Sequence, residues 1–169
     1  MTNILNEAAG NQTAAFFSII RNKTKYRLFL LKNLPAAYFS GLQLVHATED
    51  ECSITIPYKW FTKNPFRSTY FACLSMAAEM STGILAMAQT YKRKPAVSML
   101  VVGIEGKFHK KATGITKFIC TDGSRIKEAV ENAIILHQST SVKAHSVGFN
   151  NQQEVVAEFW ITWSFKAKN

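Results

Sequence analysis

The chain has 169 residues, 47% of them hydrophobic and 12% aromatic, which is material for one domain with a sizeable core and excludes an intrinsically disordered chain. The formal net charge of +9 favours an anionic partner. The basic residues are dispersed and no recognition motif accompanies them, so nucleic acid is not the partner expected.

The N-terminal "MTNILNEAAGNQTAAFFSII" has no basic segment ahead of an apolar run, so no secretory leader is expected. Residues 13–33 read as one amphipathic helix. Thr13 is its N-cap, Phe16, Ile19, Ile20, Leu28 and Leu31 form its apolar side, and Pro35 stops it. Two strands follow, about 42–48 and 51–58, joined by an acidic turn at Glu49–Glu51. Residues 60–67 are a loop broken by Pro65.

Residues 68–89 form an apolar helix in which Glu79 is the only charge between Ser68 and Tyr91. The length suits a bilayer span of roughly 20 residues. Glu79, Thr69, Ser75, Ser81 and Thr82 argue instead for burial inside a protein, and no membrane span is expected. "AVSMLVVGIEGKFHK" and "GITKFICTD" read as strands, 124–137 as an amphipathic helix, and 140–149 and 153–166 as two final strands.

The three cysteines, Cys52, Cys73 and Cys120, are odd in number and far apart, as suits reduced thiols and a cytoplasmic protein. The histidines His46, His109, His137 and His145 lack metal-ligand spacing, so no metal is expected. The whole is an α+β pattern in one domain, residues 1–169. Residues 1–40 are a helical extension and 41–166 the core. A helix that is apolar on every side must be surrounded, and a curved antiparallel sheet of about six strands would surround it. Such a sheet keeps an open edge, which argues for a homodimer, possibly a tetramer.

The sequence of these elements resembles the hotdog-fold thioesterases. Many members of the phenylacetate-degradation type carry Asn-Pro-x-Gly-x-x-His-Gly-Gly before the central helix, with a carboxylate seven residues after the last Gly. Here "NPFRSTYFACLSMAAE" supplies Asn64 and Pro65, and Glu79 stands seven residues after Ala72. "KFHKKATG" resembles the family's Phe-x-Arg-Pro-Ala-x-x-Gly strand junction through Phe108, Lys110 and Ala112, with Gly114 one residue short of the family's Gly. The departures are Arg67 for Gly, Tyr70 for His, and Phe71 and Ala72 for the paired glycines.

The resemblance implies an acyl-CoA thioesterase. It implies no cofactor, coenzyme A being part of the substrate. A thioester hydrolase needs a group to activate water and a site for the developing oxyanion. Glu79 is the candidate base or nucleophile, and Asn64 would orient the water or the carbonyl. The N–H groups at the helix start, Tyr70, Phe71 and Ala72, are the candidate oxyanion site. Ser75 is a further candidate contact. Arg93, Lys94, Lys110 and Lys111 are candidates for the phosphates of coenzyme A, and Arg67 for a ligand carboxylate. Two other readings stay open. Glu79 would be purely structural if it bonded Ser75, Thr82 or a neighbour across a dimer, and the altered His-Gly-Gly fits a non-catalytic module that binds acyl-CoA or a fatty-acyl ligand.

Overall fold

The computed structural model of the chain describes residues 2–168, with side chains from residue 10 onward. Three helices open it: α1 (Thr2–Arg21), α2 (Lys23–Asn33) and α3 (Pro35–Ser40). The single helix expected over 13–33 is therefore two. The break falls at Asn22, whose side-chain oxygen accepts the Lys25 N–H at 3.0 Å and caps α2. Thr13 is no N-cap. It lies within α1, where its hydroxyl donates to the Ala88 carbonyl at 3.2 Å. Pro35 does more than end a helix. It occupies the first turn of α3, where a missing N–H costs nothing. Gly41, at φ 80°, then ends α3 in the left-handed conformation that only glycine adopts freely.

The sheet has six strands: β1 (Gln43–Ala47), β2 (Cys52–Ile56), β3 (Val97–Phe108), β4 (Thr116–Cys120), β5 (Thr140–Phe149) and β6 (Val155–Ala167). Their order is β1-β2-β4-β5-β6-β3, and every neighbouring pair is antiparallel. The sheet curves round the helix α4 (Phe71–Thr90), and α5 (Gly123–Ile135) packs beside α4 against β5 and β6. This is the hotdog arrangement.

α4 begins at Phe71 rather than at Ser68 because the residues before it are held elsewhere. Both the N–H and the hydroxyl of Thr69 donate to the Ala112 carbonyl, at 2.8 and 3.1 Å. α4 is long and apolar enough to cross a membrane, but 67% of its apolar window is buried within the fold.

Alternation along β6 supplies much of the core. Ala157, Phe159, Ile161, Trp163 and Phe165 are buried, and the residues between them are only half-buried. Polar groups on α4 find partners in the sheet: the Ser81 and Ser146 hydroxyls lie 2.7 Å apart, and Trp163 Nε1 donates to Thr82 Oγ1 at 2.9 Å. All three cysteines are free and buried. Burial pushes the Cys120 thiol up to about 12 and raises Cys52 and Cys73 as well, which makes them poor nucleophiles.

Packing between β5 and β4 leaves no room for a side chain at Gly148, where a Cβ would lie 2.6 Å from the Phe118 ring. Gly148→Ala should destabilise the fold by about 1–3 kcal/mol in urea unfolding. An effect no larger than that of an exposed surface substitution would contradict this packing.

Candidate active site

The approach to α4 is built by the loop at residues 57–70. Asn64 organises it. Its Oδ1 accepts the N–H groups of Phe66 and Ser68, at 2.9 and 3.2 Å, and its Nδ2 donates to Ser68 Oγ at 3.1 Å. The Asn64 carbonyl also accepts the Arg67 N–H, and Arg67 completes the turn at φ 59°. Side chains of Asn type are suited to such self-closing turns. Asn64 is thus committed to holding the loop. The Arg67 side chain is exposed and does not line the groove described next.

A groove of about 590 Å³ opens at the N-terminus of α4, lined among others by Asn64, Phe71, Leu74, Phe108, Lys110 and Lys111. Tyr70 caps the helix without any side-chain hydrogen bond. The N–H groups of Phe71 and Ala72 have no protein acceptor among the described residues, as the start of a helix leaves them, and Tyr70 and Phe71 line the groove at this positive end of the helix dipole. Phe71 does not lie across them alone. Its ring leans on Tyr70 at 4.9 Å and on Phe108 at 6.5 Å, and Phe108 continues inward to Phe159 at 5.5 Å. Lys110 pairs with Glu154, and Lys111 Nζ donates to the Phe66 carbonyl at 3.4 Å.

Glu79 lies further along α4. The half-buried positions Ala72, Ser75, Met76 and Glu79 recur at helical spacing, so one flank of the first half of the helix is left partly open; residues 80–86 are all buried, and Met87 and Thr90 are half-buried again near its end. Glu79 is the only charge on that flank. Its Oε1 turns toward Gly83, where a Cβ would stand 3.2 Å from it and 3.2 Å from the Trp163 ring. The absence of a side chain at Gly83 gives the carboxylate its place.

Neither Ser75 nor Thr82 bonds that carboxylate. The Thr82 hydroxyl donates to the Glu79 backbone carbonyl at 3.0 Å. Among the described residues the Glu79 carboxylate has no hydrogen bond and no ion pair. Burial alone holds its carboxyl above the usual range. A half-buried acid without a partner is an uncommon arrangement, and its raised affinity for protons suits a general base.

The other candidate residues lie apart. Arg93 and Lys94 follow the C-terminal end of α4, where the Arg93 guanidinium is 3.9 Å from Glu131 and Lys94 is exposed. They share no groove with Lys110 and Lys111. Glu79 itself does not line the groove at the helix start. Seven residues, or about 10 Å of helix rise, separate it from Ala72. Among the histidines, His109 and His145 both bond the Glu158 carboxylate at 2.9 Å, and His145 stacks on Trp160. No cluster among the described residues is arranged to hold a metal ion.

No protein-family model matches the sequence, and no curated protein does. Solved structures do match. A Pseudomonas aeruginosa protein of unknown function, named a probable thioesterase, aligns with a TM-score of 0.70 at 19% identity over 86% of this chain and 96% of its own. The E. coli PaaI protein of the phenylacetic acid degradation operon aligns at 0.60 and 13%, over 89% of this chain and 96% of its own. The thioesterase HI1161 of Haemophilus influenzae aligns at 0.60 and 15%, over 83% and 88%. At these identities the likeness establishes the fold, which is the hotdog fold seen in thioesterases.

The elevated proton affinity of Glu79 has a stability consequence. The folded state holds this proton more tightly than the unfolded chain, so stability is lost as rising pH ionises the group. Glu79→Gln removes that cost. The variant should resist urea better than the wild type at mildly alkaline pH, and the advantage should vanish well below about pH 4, where Glu79 is protonated in both states. An advantage that is the same at both pH values would contradict the assignment.

Proposed function

We propose that this chain is a thioesterase-like protein that hydrolyses an acyl thioester, with an acyl-CoA as substrate. The observation that carries the reading is the unpartnered, half-buried Glu79 carboxylate on the open flank of the central helix. Glu79 acts as general base on a water, and the burial that raises its pKa brings it toward the working range of such a base. The free N–H groups of Phe71 and Ala72 accept the charge that develops on the thioester oxygen. Asn64 is a positioning residue, since its amide fixes the loop that delivers those N–H groups. Lys110 and Lys111 lie at the rim of the same groove and attract the phosphates of coenzyme A.

The helix start and Glu79 are too far apart in one protomer to act on one carbonyl, and a homodimer resolves this. Strand β3 is an unpaired edge with Leu100, Val102 and Ile104 exposed at 66%, 57% and 53%. An apolar edge of that length is stable in water only when covered. Antiparallel pairing of β3 with a second copy covers it and sets the groove of one protomer toward Glu79 of the other. The three free thiols fit a reducing compartment such as the cytoplasm.

A second reading follows from Phe71, whose ring stands 55% exposed beside N–H groups that glycines leave bare in the resembled family. On that reading the chain binds acyl-CoA without turning it over. Thiol release from a panel of acyl-CoAs separates the two. Wild type should hydrolyse at least one member, and Glu79→Gln should lower kcat/KM by about a hundredfold to ten-thousandfold. Equal rates for the two proteins remove Glu79 from the mechanism, and saturable binding without thiol release leaves only the binding module.

A further inference from the structure

The helical extension before the sheet encloses a cavity that the groove at the helix start does not account for. It lies between α1, α2 and α4, has a volume of about 290 Å³, and is walled by Phe16, Ile20, Phe29, Ile84 and Met87 among others. Lys25 is the only charged residue of its lining. Tyr26 presents its ring to the cavity while its hydroxyl is sealed beneath, without a partner. An apolar cavity of about 150 Å³ is already large enough to take up benzene. This one is roughly twice that size, and its α4 floor runs from Met80 to Thr90, about 15 Å of helix.

Two features connect it to Glu79. Met80, the first floor residue, follows Glu79 in the chain. Tyr26, which lines the cavity, stands close enough to Glu79 to feel its charge. A ligand whose reacting end meets Glu79 reaches the cavity past these two residues. A space lined almost wholly by apolar side chains, with Lys25 its one charge, fits a linear hydrocarbon rather than a peptide or a ring system bearing polar groups. Met80 and Met87 on the floor adapt to chains of different length.

We propose that this cavity, roofed by the N-terminal helices, holds the linear hydrocarbon chain of the acyl group, and so makes the substrate a medium- or long-chain acyl thioester. The proposal rests on the acyl-thioester reading of Glu79 for its reacting end, though the cavity itself binds a free chain without any chemistry.

The test uses the full chain and two readouts. Dodecanoate binding is followed by calorimetry, and hydrolysis of butanoyl-CoA and dodecanoyl-CoA by thiol release. The variants are Ile84→Trp, which fills the floor, and Met87→Trp, which narrows the half-buried end. Wild type should bind dodecanoate and prefer dodecanoyl-CoA. Each variant should lose about tenfold or more on both counts and keep its butanoyl-CoA activity. Should Ile84→Trp fail to fold, Met87→Trp decides alone. Dodecanoate binding that the variants abolish, without hydrolysis of either thioester, upholds the cavity and sinks the enzymatic reading. Hydrolysis with an unchanged chain preference in the variants sinks the cavity and upholds the enzymatic reading. Absence of dodecanoate binding by the wild type overturns the proposal outright.

Discussion

The helix Phe71–Thr90 has no polar side on which to meet water, and Glu79 is its single charge. Such a helix is stable only when other elements enclose it. The sheet provides the enclosure by alternation: Phe159, Ile161, Trp163 and Phe165 on β6 and Phe118 on β4 turn inward onto it. α1 closes a further side, with the Thr13 hydroxyl on the Ala88 carbonyl as a fixed point. What the enclosing elements leave open is one flank, and the one charge sits there. The location of Glu79 is thus set by the same constraint that sets the fold, because a carboxylate at a fully wrapped position would pay a desolvation cost that no partner in the core offsets.

The two stretches that resemble family motifs prove to be one structural unit. The loop of Asn64 and the junction at Ala112 are far apart in sequence, yet Thr69 bonds the Ala112 carbonyl through both its N–H and its hydroxyl. That contact fixes where the helix can begin, and so where the N–H groups of Phe71 and Ala72 point. The aromatic series Tyr70, Phe71, Phe108, Phe159 anchors the same unit to the core. Phe71 therefore has a packing role that a glycine would not supply, which gives a physical reason for the departure from the resembled motif.

Much of the fold was legible in the sequence. The alternation of β6 and the isolated charge of α4 announce a buried helix under a half-buried sheet, and turn signals delimit six strands; the order of the strands in the sheet comes from the structure. The N-terminal region was less legible. Residues 13–33 carry a continuous apolar periodicity, and only the side chain of Asn22 decides that two helices form rather than one. At Thr13 the sequence cannot separate a cap from a tertiary hydroxyl contact, because both use the same residue type. At the site, motif spacing marks Glu79, Asn64 and the helix start, and seven residues of helix already set Glu79 about 10 Å from Ala72. The commitment of Asn64 to its own loop depends on turn geometry, which motif spacing does not carry. Gly83 and Trp163, which give the Glu79 carboxylate its place, went unnoticed because a helical glycine and a core tryptophan announce nothing by themselves.

The account stands or falls on the state of the Glu79 carboxyl. Its titration can be followed by carbon NMR in labelled protein, with Glu79→Gln to assign the signal, alone and with a non-hydrolysable thioether analogue of an acyl-CoA. The account predicts a midpoint above that of ordinary glutamates, shifting further when the analogue excludes water from the flank. A midpoint in the ordinary range that is indifferent to the analogue would contradict it.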